Sequence, residues 1–179
     1  LEIGNLKIMV KPGESIEEQA RKSRYEFIYS LMNEESIMLT AHHLDDQAET
    51  YIYNLLRGSG LKGLSSMPVI KTLDKGVHVR PFLKFTKNTL SDFVRFKDIE
   101  YIEDNSNENI NFSRNFIRKE VLPKIKKNWT SYATTISRAA SNASDSIKLN
   151  NDLAKIDIEK YLLDSRKKIS VNVKKLDKY

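Results

Sequence analysis

The sequence contains no cysteine. That removes disulfides, thiolate zinc sites, iron–sulfur clusters and thiol nucleophiles from consideration. No apolar run approaches the roughly 20 residues that a bilayer-crossing helix needs, so no membrane partner is expected. No secretory leader is visible either, and a cytoplasmic location is the default expectation. Internal repeats and low-complexity segments are missing. There is no Gly-Gly pair, no HExxH and no GxxxxGK[ST], which leaves neither a zincin helix nor a P-loop to build on. The chain opens at Leu1 rather than at a methionine, so it is expected to be a fragment or to lack part of its sequence.

What is present is ordinary in amount and uneven in placement. With 179 residues, 40% of them apolar and 30% charged, the chain can form one full domain and part of a second. Residues 1–113 carry 14 Lys/Arg and 17 Asp/Glu, a net −3; residues 114–179 carry 16 and 7, a net +9. A basic second half suits a polyanion such as RNA. It suits a solvated, lysine-rich helical surface equally well.

Periodicity predicts the elements. Ser15-Ile16-Glu17-Glu18 has the capping-box pattern and opens a helix to about Met32. Ile37 to Ala41 reads as a short buried strand, followed by a helix from about Asp45 to Arg57. Gly58, Gly60 and Gly63 mark a loop. Val77 to Pro81 reads as a strand, Thr89 to Lys97 as a helix and Tyr101-Ile102 as a short strand. Asp104 to Phe112 is a polar loop, Ser113 to Val121 is helical, and Pro123 can start a new turn. From Trp129 a long helix is expected, with Tyr132, Ile136, Ala139, Ala143, Ile147 and Leu153 as its apolar stripe. Ile169, Val171 and Val173 alternate like a late strand. Strands alternating with helices predict an α/β fold, a parallel sheet flanked by helices over residues 1–128. A mainly helical region then follows over residues 129–179.

The densest chemistry lies in AHHLDDQAET, Ala41 to Thr50. It falls where a buried strand gives way to a helix, the place where α/β sheets bind ligands. Asp45 and Asp46 stand at the helix start, where a carboxylate can serve only as a cap. Two histidines with Asp46 and Glu49 are more than a cap requires. A metal reading is open, since imidazole and carboxylate bind zinc or manganese. However, His42 and His43 are adjacent and in extended backbone point to opposite sides. One is expected to face the site and the other to act as a structural hydrogen-bonding partner.

Three basic groupings accompany it. Arg114 and Arg118, four apart, share a helix face with Asn115 beside them, and could hold an oxyanion or phosphate or simply bridge to Asp104 or Glu120. Arg21 and Arg24 form a second pair, which Glu17 or Glu18 could neutralise. Arg57 opens the glycine-containing stretch RGSGLKGL.

EEQARKSRYEF, AHHLDDQAET, RGSGLKGLSSM, RPFLKFTKNTL and IEDNSNENINFSRNFIRKEVLP occur in that order. The series, from about Ser15 to Ser146, resembles bacterial tRNA(Ile)-lysidine synthetase, of the N-type ATP pyrophosphatase group. The resemblance implies a Rossmann-like ATP pyrophosphatase domain followed by the start of a C-terminal tRNA-binding domain. It implies ligation of free L-lysine to C2 of the wobble cytidine of isoleucine tRNA with a CAU anticodon. ATP adenylates the C2 oxygen, and the lysine amine then displaces AMP. The cofactors implied are ATP and Mg2+, and a homodimer is within expectation. Catalysis would fall to His42, His43, Asp46 and Arg114. Arg21, Arg24, Asp45, Glu49, Arg57, Asn115 and Arg118 would bind substrate or ATP, and Asp46 would hold the magnesium.

One departure from the family pattern matters. The family's SGGxDS pyrophosphate loop needs a Gly-Gly pair, which this sequence lacks, so the first strands of the sheet are expected to be missing with it. These 179 residues alone are expected not to turn over ATP. Among the alternatives, thiolases of the same group rely on cysteine, and GMP or NAD synthetases have no need of the +9 half. A non-catalytic RNA-binding paralogue would not need HHxDDQxET. A metal-dependent hydrolase would retain zinc or manganese.

Overall fold

The computed structural model describes residues 3–5, 8, 16–102, 113–159, 162–163 and 170–171. The expected Ser15 cap, the polar loop 104–112, Ile169 and Val173 lie outside these residues.

Helix α1 spans Ile16–Ser30, strand β1 Ile37–Leu39, helix α2 Leu44–Leu56 and the short α3 Leu61–Leu64. Strands β2 (Ile70–Thr72) and β3 (Val77–Val79) follow, then α4 (Lys87–Phe96). After residue 112 come α5 (Ser113–Phe116), a π-helical segment (Ile117–Val121), α6 (Leu122–Asn128) and the long α7 (Tyr132–Glu159). Strands β4 (Leu162–Leu163) and β5 (Ser170–Val171) pair antiparallel near the end.

The α/β class is as expected, but the sheet is mixed rather than parallel. Its order is β1-β3-β2. β1 runs parallel to β3, with Met38 opposite His78, and β2 runs antiparallel to β3, with Lys71 opposite His78. The reason is local. Gly76 closes a tight β2–β3 turn at φ +72°, with Leu73 N–H donating to the Gly76 carbonyl at 3.1 Å. A two-stranded return of that kind must be antiparallel. A Cβ on Gly76 would also collide with the Ser36 carbonyl, so the β2–β3 turn, packed against the residue before β1, needs glycine.

Four further expectations change. β1 is not buried: Ile37 and Leu39 are exposed and only Met38 turns partly inward, because among the described residues β1 has β3 as its one neighbour. Tyr101 and Ile102 form no strand, and Ile102 is almost fully exposed. The glycine-containing loop holds a turn of helix, α3. Leu153 drops out of the α7 stripe and is half exposed, because the helix has outrun the elements it packs on.

The main core is helical. Leu44, Ala48 and Ile52 of α2 meet Ile117 and Leu122 of the α5–π–α6 rod and Tyr132 and Ala133 of α7. Packing therefore continues through residue 128 into α7, as far as the buried Ala140 and Ala143. The π turn precedes Pro123, which cannot donate to the Lys119 carbonyl and whose ring crowds it. A widened turn is a usual accommodation of such a conflict.

Candidate active site at the junction of β1 and α2

The polar side chains of AHHLDDQAET, apart from the buried Thr50 hydroxyl, are committed to bonds at the point where β1 hands over to α2. His43 caps α2 from an extended backbone, φ −119° and ψ 179°. Its Nδ1 accepts from Asp46 N–H at 3.3 Å, and Asp46 Oδ2 accepts from His43 N–H at 3.0 Å. This reciprocal pair satisfies two otherwise orphaned donors of the helix start. Asp45 joins three elements: Oδ2 accepts from Lys87 N–H of α4 at 2.7 Å, and Oδ1 accepts from the Tyr132 hydroxyl of α7 at 2.9 Å. Gln47 is buried and pairs with the Met67 backbone in both directions at 3.0 Å, pinning the loop after α3.

The arginines of the rod reach across to the carboxylates of α2. Arg118 donates from Nε to Glu49 Oε2 at 2.9 Å and from Nη2 to Asp46 Oδ1 at 3.0 Å. Arg114 Nη1 stands 3.8 Å from Glu49 Oε1. Burial pushes the Glu49 carboxyl up, while Arg118 and Arg114 pull it back. Arg118 thus pairs with Asp46 and Glu49 and not with Glu120, one of the two bridging partners expected; the other, Asp104, lies outside the described residues. Arg114 and Arg57 also lie on the Tyr53 ring, 5.5 Å and 5.2 Å from its centroid, and Arg57 donates to the Tyr53 hydroxyl at 2.8 Å. Asn115 is half-buried on the same rod.

His42 turns the other way, into a second network. Its Nδ1 lies 2.8 Å from Thr40 Oγ1, which lies 2.8 Å from His78 Nε2. His78 Nδ1 is 3.2 Å from Arg80 Nη2, and Arg80 Nη1 donates to the Pro68 carbonyl at 2.9 Å. Tyr25 of α1 covers His78 with ring centroids 5.9 Å apart, and Arg21 rests on Tyr25 at 5.7 Å. Arg24 is exposed and makes no ion pair with a described residue. Burial, then Arg80 and the neighbouring imidazole, push His78 down to about 4. Burial is also the largest cause lowering His42, with Asp46 opposing and Arg80, Arg21 and Arg114 adding to the shift.

The arrangement therefore gathers His42, His43, Asp45, Asp46, Glu49, Arg114 and Arg118, with Arg21 bordering through Tyr25. It leaves Arg24 outside. Sequence reasoning missed Thr40, His78, Arg80 and Tyr132 as polar partners. For His78 and Arg80 a signal existed, since two basic side chains on alternate residues of a strand share one face. Among the described residues, no group of three or more His, Asp or Glu side chains is placed to hold a metal ion.

Comparison with known proteins decides the family. A model of the PP-loop domain matches residues 1–125. The chain belongs to the PP-loop domain family. The PP-loop match stops just short of α7, whose first turns nevertheless lie in the core of the domain.

Among similar proteins is the tRNA(Ile)-lysidine synthase of Coxiella burnetii, 39% identical over 162 residues, covering 90% of this chain and 36% of the relative. Another is that of Wigglesworthia glossinidia brevipalpis, 43% identical over 142 residues, covering 79% and 36%. That of Francisella philomiragia is 40% identical over 162 residues, covering 89% and 38%. The chain spans a little over a third of the length of these relatives.

Proposed function

We propose that this PP-loop chain is the part of a tRNA(Ile)-lysidine synthase that carries the β1–α2 wall of its reaction pocket. The observation behind the reading is the junction of β1 and α2, where His43 caps the helix through Asp46 while Arg118 and Arg114 reach the α2 carboxylates, in a chain about 40% identical to enzymes of that name. ATP is the expected substrate of a PP-loop domain, with isoleucine tRNA and free lysine beside it. The full reaction proceeds in the cytoplasm, and residues 129–179 lead into the tRNA-binding part.

The chemistry needs two kinds of help. In the first step the cytidine C2 oxygen bonds to the α-phosphorus of ATP, and pyrophosphate leaves. In the second the neutral lysine amine bonds to C2, and AMP leaves. Both steps gather charge on phosphate oxygens, which N–H donors stabilise. Arg114, half-buried and anchored on Tyr53 and Glu49, and His42 are suited to supply them. Asp46 and Glu49 act through Arg118, which they hold in place. Asp46 has an oxygen engaged by His43 N–H and the other by Arg118. It does not fit a resident-metal site, and magnesium is read as entering bound to ATP.

The test supplies the full-length protein with ATP, labelled lysine and the CAU-anticodon tRNA. Lysine is expected in the tRNA, dependent on ATP. Its absence sinks the reading. Replacing His42 or Arg114 by Ala is expected to cut incorporation while the thermal transition stays cooperative. Near-normal rates in both variants remove them from the site.

A further inference from the structure

We propose that Arg80, acting through His78 and Thr40, fixes His42 in the tautomer that carries its proton on Nε2. His42 then serves the pocket as a hydrogen-bond donor to an anionic oxygen and not as a proton acceptor. The identity of that oxygen, a phosphate oxygen of ATP or AMP, rests on the reading above. The tautomer does not.

The direction of the chain follows from what each group can do. Guanidinium only donates. Arg80 gives Nη1–H to the Pro68 carbonyl and Nη2–H to His78 Nδ1, so that nitrogen accepts and is unprotonated. A neutral His78 then carries its proton on Nε2 and donates it to Thr40 Oγ1 at 2.8 Å. A threonine hydroxyl has one proton. With its oxygen accepting from His78, that proton goes to His42 Nδ1 at 2.8 Å, the remaining partner of the hydroxyl among the described residues. His42 Nδ1 is an acceptor, and its proton is on Nε2, which bonds to no described residue. Reversing the Arg80–His78 or His78–Thr40 link would set an N–H against the guanidinium, and reversing the Thr40–His42 link would leave the threonine proton without an acceptor among the described residues.

The surroundings hold the chain neutral. His78 is 1% exposed and Arg80 6%, side by side on one face of β3, and Tyr25 roofs the imidazole. Burial and the Arg80 charge both disfavour a second proton on His78. Thr40 is placed by the sheet itself, since its N–H extends the parallel ladder to the Val79 carbonyl at 3.1 Å. Thr40, His78 and Arg80 are therefore positioning residues for His42.

The chain has three histidines, so nitrogen NMR of 15N-histidine-labelled protein can assign each ring. Above pH 7, His42 is expected to show Nδ1 at the unprotonated position and Nε2 at the protonated one. In Thr40→Val, which removes the hydroxyl at nearly constant shape, both signals are expected to move toward averaged positions. Thr40→Ser is expected to restore them. A wild-type His42 protonated on Nδ1, or a Thr40→Val spectrum with the His42 nitrogens unmoved, overturns the proposal. The sample contains no ATP, lysine or tRNA, so the outcome is independent of the ligase reading.

Discussion

Two polar networks leave the same short stretch of chain and are built on opposite principles. The His43 network is charged and closed: Asp46 and Glu49 of α2 pair with Arg114 of α5 and Arg118 of the π segment. The His42 network is neutral along its imidazoles and open, running from Arg80 to a free N–H. The difference teaches that a cluster rich in catalytic residue types can be half scaffold. Adjacent histidines in extended backbone face apart, so one can hold the helix while the other serves the pocket.

Breaking the closed network is expected to have the largest effect on stability. Glu49 is 2% exposed and receives Arg118 and Arg114. Glu49→Ala removes the carboxylate that both guanidiniums reach and is expected to cost about 3 kcal/mol, the low end of the range for opening a buried pair, because Arg118 keeps Asp46 and has 39% of its side chain in solvent. Glu49→Gln, which retains an acceptor oxygen, is expected to lose less. Urea denaturation midpoints of both variants measure it. A Glu49→Ala midpoint equal to wild type shows that the ion pairs are idle.

Acid is expected to attack the histidines of both networks. His42, His43 and His78 all sit below the ordinary value of 6.5, burial being the largest cause in each. The fold binds these protons less readily than the unfolded chain does. Their contribution is full above pH 6.5 and is lost as pH falls, for His78 down to about 4. Each fully shifted histidine gives a slope of at most about 1.4 kcal/mol per pH unit. Glu49 runs the other way: its raised carboxyl favours the fold at low pH, an advantage lost as pH rises through the carboxylate range. Between pH 7 and 5 the histidines dominate, so the midpoint is expected to drop, and His78→Gln should flatten the slope. A level wild-type profile over that interval contradicts the assignment.

The sequence made the helices legible because their signals are local: apolar spacing at 3.6 residues and a cap where β1 ends. It also marked the candidate site, since an apolar run ending in HHLDDQ is visible without coordinates. The unexpected features depend on distant partners. Whether Ile37 and Leu39 are covered depends on neighbours that strand periodicity does not reveal. The antiparallel β2 hides in Ile70–Thr72, too short to alternate clearly. Proximity in sequence offers Asp104 or Glu120 to Arg118, whereas its partners among the described residues are Asp46 and Glu49, on a helix some 70 residues away. Tyr132 reads as one more member of an apolar stripe, and nothing local announces that its hydroxyl ends on Asp45.

That last contact gives the smallest effect and the sharpest discrimination. Asp45 has the composition of an ATP-site residue and the bonds of a fold tie. Burial and the Asp45 carboxylate keep the Tyr132 hydroxyl protonated far above its ordinary range, so it donates at any working pH. Tyr132→Phe keeps the ring in the core, leaves Lys87 N–H on the other Asp45 oxygen, and is expected to cost about 1 kcal/mol, the net worth of one hydrogen bond. If Asp45 only joins α2 to α4 and α7, lysine incorporation by full-length Tyr132→Phe should match wild type at temperatures well below its transition. A fall in incorporation at unchanged stability would move Asp45 from the closed network to the working one.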